Sequence, residues 1–203
     1  MQENKKELII INGDEEYNLH ARENTDYYVL SLDPLSHTTN INHYLYDHVE
    51  SKIHILVLNF DKFQKQINVQ AHLNNDLSVA TNYVQVIGFN DSHTSIFLNA
   101  HLHANCHNNQ VAQTIKATLF DNAQVKGQPT LTIDSNDVKA SHAYEVGNVS
   151  HDVLFYLALK GFNKQESIFL LVGAIFNQVL MHFEQEVQDK YAQLIKDTFE
   201  RVA

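Results

Sequence analysis

From Leu8 to Ile133 apolar and polar side chains alternate in short runs, and after Ser150 the spacing of the apolar ones lengthens to that of helices. In QINVQAHL the side chains of Ile67, Val69, Ala71 and Leu73 fall on one face of an extended chain and the polar residues between them on the other. The same reading predicts many short strands over this stretch, for example at 8–12, 27–32, 52–60, 66–73, 82–89, 94–104 and 114–120. What separates them is rich in Asn, Asp, Ser and Gln, as in DKFQ, NNDLS, FNDSH and DNAQVKGQ, and Asn12-Gly13 is the one Asn-Gly pair. Two-residue hairpins are therefore not expected. The separators fit a wound sheet that turns through Asn and Asp corners, and equally a sandwich of two sheets. SHTTNINH, Ser36 to His43, reads as loop, because His37, His43 and nearby His48 are spaced for neither a helix face nor a strand face. DVKASHAYEVGNVS, Asp137 to Ser150, reads as the end of a last strand, with Val138 inward, a bend at Ser141 or His142, and Gly147 permitting a change of direction.

Beyond that bend three helical stretches are predicted. Ser150 can cap HDVLFYLALK, which stops at Gly161, a residue suited to the left-handed C′ position. Asn163 with Glu166 forms a capping-box pattern opening a helix from Lys164 to about Phe183. Its apolar surface is wide, with Ile168, Leu171, Val172, Ile175 and Val179 on one face and Phe169, Leu170, Phe176 and Leu180 broadening it, so it needs cover on more than one side. Glu186 to Val202 carries a narrower stripe of Val187, Tyr191, Leu194, Ile195 and Phe199. Nothing in the sequence says whether this last helix folds back or runs on.

Charge narrows the partners. The 203 residues hold 24 Asp and Glu against 14 Lys and Arg, a net charge of −10, with no basic run. Free nucleic acid and anionic membrane are poor partners for such a surface. The longest apolar run, Ile168 to Phe176, is too short to cross a bilayer. Cys106 is the single cysteine, so no internal disulfide can form, and the opening MQENKKELII lacks the apolar stretch of a secretory signal. A cytoplasmic location is expected.

Thirteen histidines supply the candidate chemistry. In NAHLHANCH, on a strand, His101 and His103 project from one face about 6.7 Å apart, from where two imidazoles can converge on one divalent ion, with Cys106 and His107 just beyond the strand end. The bland alternative is a pair of solvated or hydrogen-bonded strand residues. Cys106 has no Cys-x-x-Cys partner and reads most simply as a small buried hydrophobe. No phosphate-cradling Gly-rich loop, G-x-S-x-G elbow or H-E-x-x-H occurs, so machinery for nucleotide hydrolysis or acyl transfer is not visible.

From about Gln110 to Leu180 the chain resembles the C-terminal core of the SufB/SufD family of iron-sulfur cluster assembly proteins. PTLTIDSNDVKASHAYEVG, Pro129 to Gly147, is similar to that family's signature of a proline, a short strand, polar residues, Asp-Val and a Ser-His-Gly-Ala run, and LFYLALKGF, Leu154 to Phe162, is similar to its Leu-Phe-Tyr-Leu helix ending in Arg-Gly. The resemblance implies a mainly β protein, with a right-handed parallel β-helix over residues 1–147 and a C-terminal helical segment over 148–203. It further implies a short SufD-like, non-catalytic subunit that docks an ABC-type ATPase (SufC-like) through its end helices and pairs with a SufB-like subunit or with itself as a dimer. His142 falls on the signature histidine, where a transient iron or iron-sulfur cluster is held, and no stably bound cofactor is implied. Asp137, Val138, Ser141 and Gly147 surround that position, while Phe155, Tyr156 and Gly161 fall on the ATPase-docking helix. Ala140 stands where many SufD sequences have cysteine, Ala143-Tyr144-Glu145 replaces Gly-Ala-Thr, and Lys160 replaces a common arginine.

Two other readings remain open on the residues alone. One is a small cupin-like metal-dependent enzyme in which His101, His103 and a third ligand, His107 or His72, activate water within an antiparallel barrel. The other is a homo-oligomeric interaction module without cluster activity.

Overall fold

The computed structural model describes residues 4–104 and 106–202. Eleven strands come first: β1 (Lys5–Ile10), β2 (Glu15–Ala21), β3 (Thr25–Ser31), β4 (His37–Leu45), β5 (Glu50–Asn59), β6 (Gln64–Leu73), β7 (Val79–Gly88), β8 (His93–Leu102), β9 (Asn109–Leu119), β10 (Gln124–Ile133) and β11 (Val138–Gly147). Three helices follow, α1 (His151–Leu159), α2 (Lys164–Leu180) and α3 (Gln185–Val202). Odd-numbered strands form one sheet in the order β1-β3-β5-β7-β9-β11, even-numbered ones a second in the order β10-β8-β6-β4-β2, and every pair is parallel. The chain therefore alternates between two sheets as it climbs, a parallel β-solenoid. One vertical column in the first sheet reads Lys5, Thr25, Ser51, Ala80, Val111, Ala140, and one in the second Glu15, Thr39, Ile67, Ile96, Gly127. This parallel winding removes the sandwich alternative and the antiparallel barrel that a cupin-like enzyme requires.

The corners explain the Asn- and Asp-rich separators. His48, Asp61, Leu77, Asn90, Asn108 and Asp121 all have positive φ, a conformation Asn and Asp tolerate because their short side chains bond locally. Corner carboxylates also tie one coil to the next: the backbone N–H of Thr38 donates to Asp14 Oδ1 at 2.6 Å, that of Asp76 to Asp47 Oδ1 at 3.0 Å, and that of His107 to Asp76 Oδ1 at 2.7 Å.

Alternate residues of each strand point between the sheets. Ile53, Ile55 and Val57 of β5 meet Ile41 of β4 and Ile67 and Val69 of β6 in the solenoid core. A second core lies on the outer face of the first sheet, where Leu30, Leu56, Leu58 and Ile87 are covered by Val172, Phe176 and Leu180 of α2 and Tyr191, Ile195 and Phe199 of α3. That is the cover the wide apolar surface of α2 demands, and it shows α3 folding back beside α2 rather than running on. Caps agree with the sequence: the Ser150 side chain accepts from Asp152 N, Asn163 and Glu166 form a reciprocal capping box, and Gly161 takes φ +95° just beyond α1. α2 ends at Leu180, three residues earlier than expected. Among the described residues no helix is long and apolar enough to cross a membrane.

Several expectations need correction. Ser36–His43 is not a loop, since His37–Leu45 forms β4 and the six-residue spacing of His37 and His43 is even, which puts both on the inward face. β10 begins at Gln124 inside what reads as a separator, and β2 lies within the strand-rich stretch but outside the runs named above. β11 continues through Ser141 and His142 to Gly147, so His142 sits in mid-strand and turns no corner. Gly147 is not among the positive-φ residues and its site would accept a Cβ without contact, so no special backbone freedom is needed there.

Candidate functional site at the open end of the solenoid

β10 and β11 are the last strands of their sheets and form the terminal coil. Parity along β11 follows from register. Ala140, His142, Tyr144 and Val146 pair with Val111, Gln113, Ile115 and Ala117 of β9, all inward and buried. Tyr144 confirms the direction: its ring covers Gly127 of β10, where an added Cβ would clash with Tyr144 Cε2, and its hydroxyl donates to Val125 O at 3.2 Å. His142 thus stands over the mouth of the interior yet is exposed, because among the described residues no further coil covers it in either sheet. Val138 is inward and partly buried, as expected. Ser141 faces out and borders a shallow groove of about 270 Å³ with Thr81, Ala112 and Lys139. Asp137 is spent on structure, its Oδ2 accepting from Asn108 N at 3.2 Å across the corner.

The His-x-His stretch lies on the outer face of the second sheet. The rings of His101 and His103 are 3.7 Å apart between centroids, and His101 Nε2 lies 2.7 Å from Asp134 Oδ2. Cys106 and His107 do not join them. The Cys106 thiol is buried in the corner, with burial and then the nearby Asp76 and Asp47 pushing its pKa up, while His107 is exposed with Nδ1 3.9 Å from Asp137. Among the described residues no group of three or more His, Cys, Asp or Glu side chains is placed to hold a metal ion. His72 stacks on Tyr44 at 4.6 Å, and Tyr44 in turn on His20 at 4.9 Å, so this face carries a ladder of rings.

The helix after the terminal coil is unusual. α1 buries none of its residues: Phe155 is 66% exposed, Tyr156 58% and Leu159 69%. Phe162, Phe169 and Leu170 add exposed apolar surface from the adjoining turn and α2. Lys160 Nζ lies 5.5 Å from the centre of the Tyr156 ring. Between α1, α2 and the solenoid corner at Phe120 and Asp121 runs a groove of about 460 Å³ lined by Leu119, Leu154, Ile168 and Phe199, with Lys164 and His151 at its edge.

Sequence reasoning missed the polar side chains inside the solenoid. Lys65 of β6 is buried, its Nζ donating to Leu58 O at 2.8 Å, Ser31 O at 3.1 Å and Ser31 Oγ at 3.2 Å. Thr39 Oγ1–H donates to Gly13 O at 3.3 Å, so His37 Nδ1–H donates to Thr39 Oγ1 at 3.0 Å and Nε2 of the neutral ring accepts from the Ser31 hydroxyl at 2.7 Å. Burial pushes the Lys65 pKa down to about 7, and burial with the Lys65 charge lowers that of His37 to about 4. His43 is deeper still; burial pushes it down to about 3, and its Nε2 lies 2.9 Å from Ser51 Oγ. Asn82 and Gln113 are each 1% exposed on the inward face. The available signal was parity: Lys65 shares the inward face of Ile67 and Val69, and Asn82 that of Val84 and Val86.

No curated protein matches the chain. Residues 116–175, running from within β9 through the terminal coil and α1 into α2, match the family described as SUF system FeS cluster assembly, SufBD core domain, a likeness that supports general kinship with the SufB/SufD family.

Proposed function

We propose that this chain is a non-catalytic subunit of a Suf-type iron-sulfur cluster assembly complex, in which α1 docks an ABC-type ATPase and the terminal coil pairs with a SufB-like chain or a second copy. The observation that carries this reading is α1 itself. A nine-residue apolar helix with no buried residue, lying inside the matched segment, is costly to leave in water and gains by partner burial. β11 adds a second open surface, since among the described residues one edge of its backbone has no strand partner in the sheet.

Iron or a nascent cluster would be cargo, held transiently. The terminal coil offers it one imidazole, His142, and the chain's single thiol lies elsewhere in an environment that favours the protonated form. The ligand set is therefore completed by the partner chain, which fits a role as half of a shared site. His101 and His103, with Asp134 already on His101, form at most a weaker surface donor pair.

Anaerobic co-purification of the full chain with an ABC-type ATPase from the same source tests the docking. Stable co-elution that is lost in Phe155→Ala/Tyr156→Ala, with unchanged circular dichroism, is expected. No co-elution with the unaltered chain would overturn the reading.

A further inference from the structure

Beneath His142 the interior holds an unusual set of buried side chains. His43 Nδ1, both amide atoms of Asn82 and both of Gln113 are shut off from solvent, and among the described residues none meets a partner in good hydrogen-bond geometry. The three residues are contiguous. Asn82 pairs in register with Gln113, and Gln113 with His142, so their side chains stack on neighbouring strands about 4.8 Å apart. The Asn82 amide lies within hydrogen-bonding reach of His43, whose ring burial keeps neutral.

Hydrogen-bond direction can be followed along this row. The Ser51 hydroxyl donates to Thr25 O at 3.0 Å, so His43 must donate to Ser51 through Nε2–H. That leaves His43 Nδ1 as a bare acceptor facing the row, which the Asn82 amide N–H can supply. Asn82 Oδ1 then needs a donor, which the Gln113 amide beside it can supply; Gln113 Oε1 needs one in turn, and its neighbour on β11 is His142. At this depth such groups are paired, directly or through a bridging water, because leaving them unpaired costs too much. Only one sense of the row satisfies every member.

We propose that Gln113, backed by Asn82 and His43, is a positioning residue that draws one ring N–H of His142 inwards and so turns the lone pair of the other nitrogen out of the coil end, ready to bind a divalent iron-class metal. This rests on the reading of His142 as a cargo ligand. A metal-binding imidazole commonly has its second nitrogen fixed in this way by an outer hydrogen bond, and loss of such a bond typically weakens metal binding about 10- to 100-fold.

Ring nitrogen-15 NMR of the full chain at neutral pH tests it without any variant. His142 should show a single tautomer. Gln113→Leu should release it to the mixture that a free imidazole shows, while Gln113→Glu, which keeps the acceptor, should restore one tautomer. In a Zn(II) titration followed at the same nitrogens, only the outward one should shift, and Gln113→Leu should raise the concentration required at least about tenfold. A tautomer mixture at His142 in the unaltered chain would overturn the positioning role. A single tautomer with no Zn(II) response at His142 would instead sink the ligand reading and leave the row standing.

Discussion

Replacing His43 by glutamine should flatten the acid side of the stability curve by one proton. His43 is fully buried between the sheets, against Tyr27 at 5.7 Å, and its pKa falls from 6.5 to about 3 in the fold. Below pH 6.5 the unfolded chain binds a proton on this ring and the folded chain does not, so acidification favours unfolding. The loss begins near the unfolded value and is complete only below the folded one. Each such proton contributes about 1.4 kcal/mol per pH unit, so His43 accounts for about 2 kcal/mol between pH 6.5 and 5 and at most roughly 5 kcal/mol in all. His37, lowered to about 4, adds a second proton over the same window. In His43→Gln the new side chain retains an amide donor for Ser51 but cannot titrate. Urea denaturation followed by far-ultraviolet circular dichroism at half-unit steps from pH 7.5 to 5 should give slopes differing by about 1.4 kcal/mol per unit below pH 6. Parallel curves for parent and variant would refute a neutral buried imidazole.

Lys65, with its pKa down to about 7, predicts the opposite limb: stability should rise from pH 7 towards 9 by about 1.4 kcal/mol per unit, and Lys65→Met should abolish that rise in the same denaturation series. Gly127→Ala should displace the Tyr144 ring, break its bond to Val125 O and speed amide exchange in β10 and β11 while β5 to β7 keep their protection. Phe155→Ala should change stability by less than about 0.5 kcal/mol, whereas Phe176→Ala should cost about 3–5 kcal/mol, because the first side chain is exposed and the second lies in the core under α2. Equal losses in urea midpoint for those two would remove α1 as a free docking surface.

Where packing is one-sided the sequence was plain. β6 and β8 alternate cleanly because one face meets the core and the other water, and the near-continuous apolar run of β5 reflects burial on both faces, by the opposite sheet and by the helices. Helix ends were legible because caps are local chemistry. β4 was opaque because its inward face begins His37, Thr39, where hydrogen bonds inside the solenoid replace apolar contact. β11 misled for a related reason. On a terminal coil the inward positions Ala140, His142 and Tyr144 have nothing above them to bury against, so the alternation that marks a strand is faint. The buried row of Asn82 and Gln113 could be located only once register had placed them on adjacent strands.

Phe199 packs against Phe89, and Tyr191 and Ile195 lie over the outer face of β3 and β5, so α3 closes over strands that precede it in the sequence. Leu30, Leu56, Leu58 and Ile87 emerge from the ribosome before the helices that shelter them. Until α2 and α3 follow, a nascent copy carries a bare greasy flank. Holding chaperones should therefore be drawn to it, and removal of α3 should be punished by clumping rather than by a mere loss of contacts.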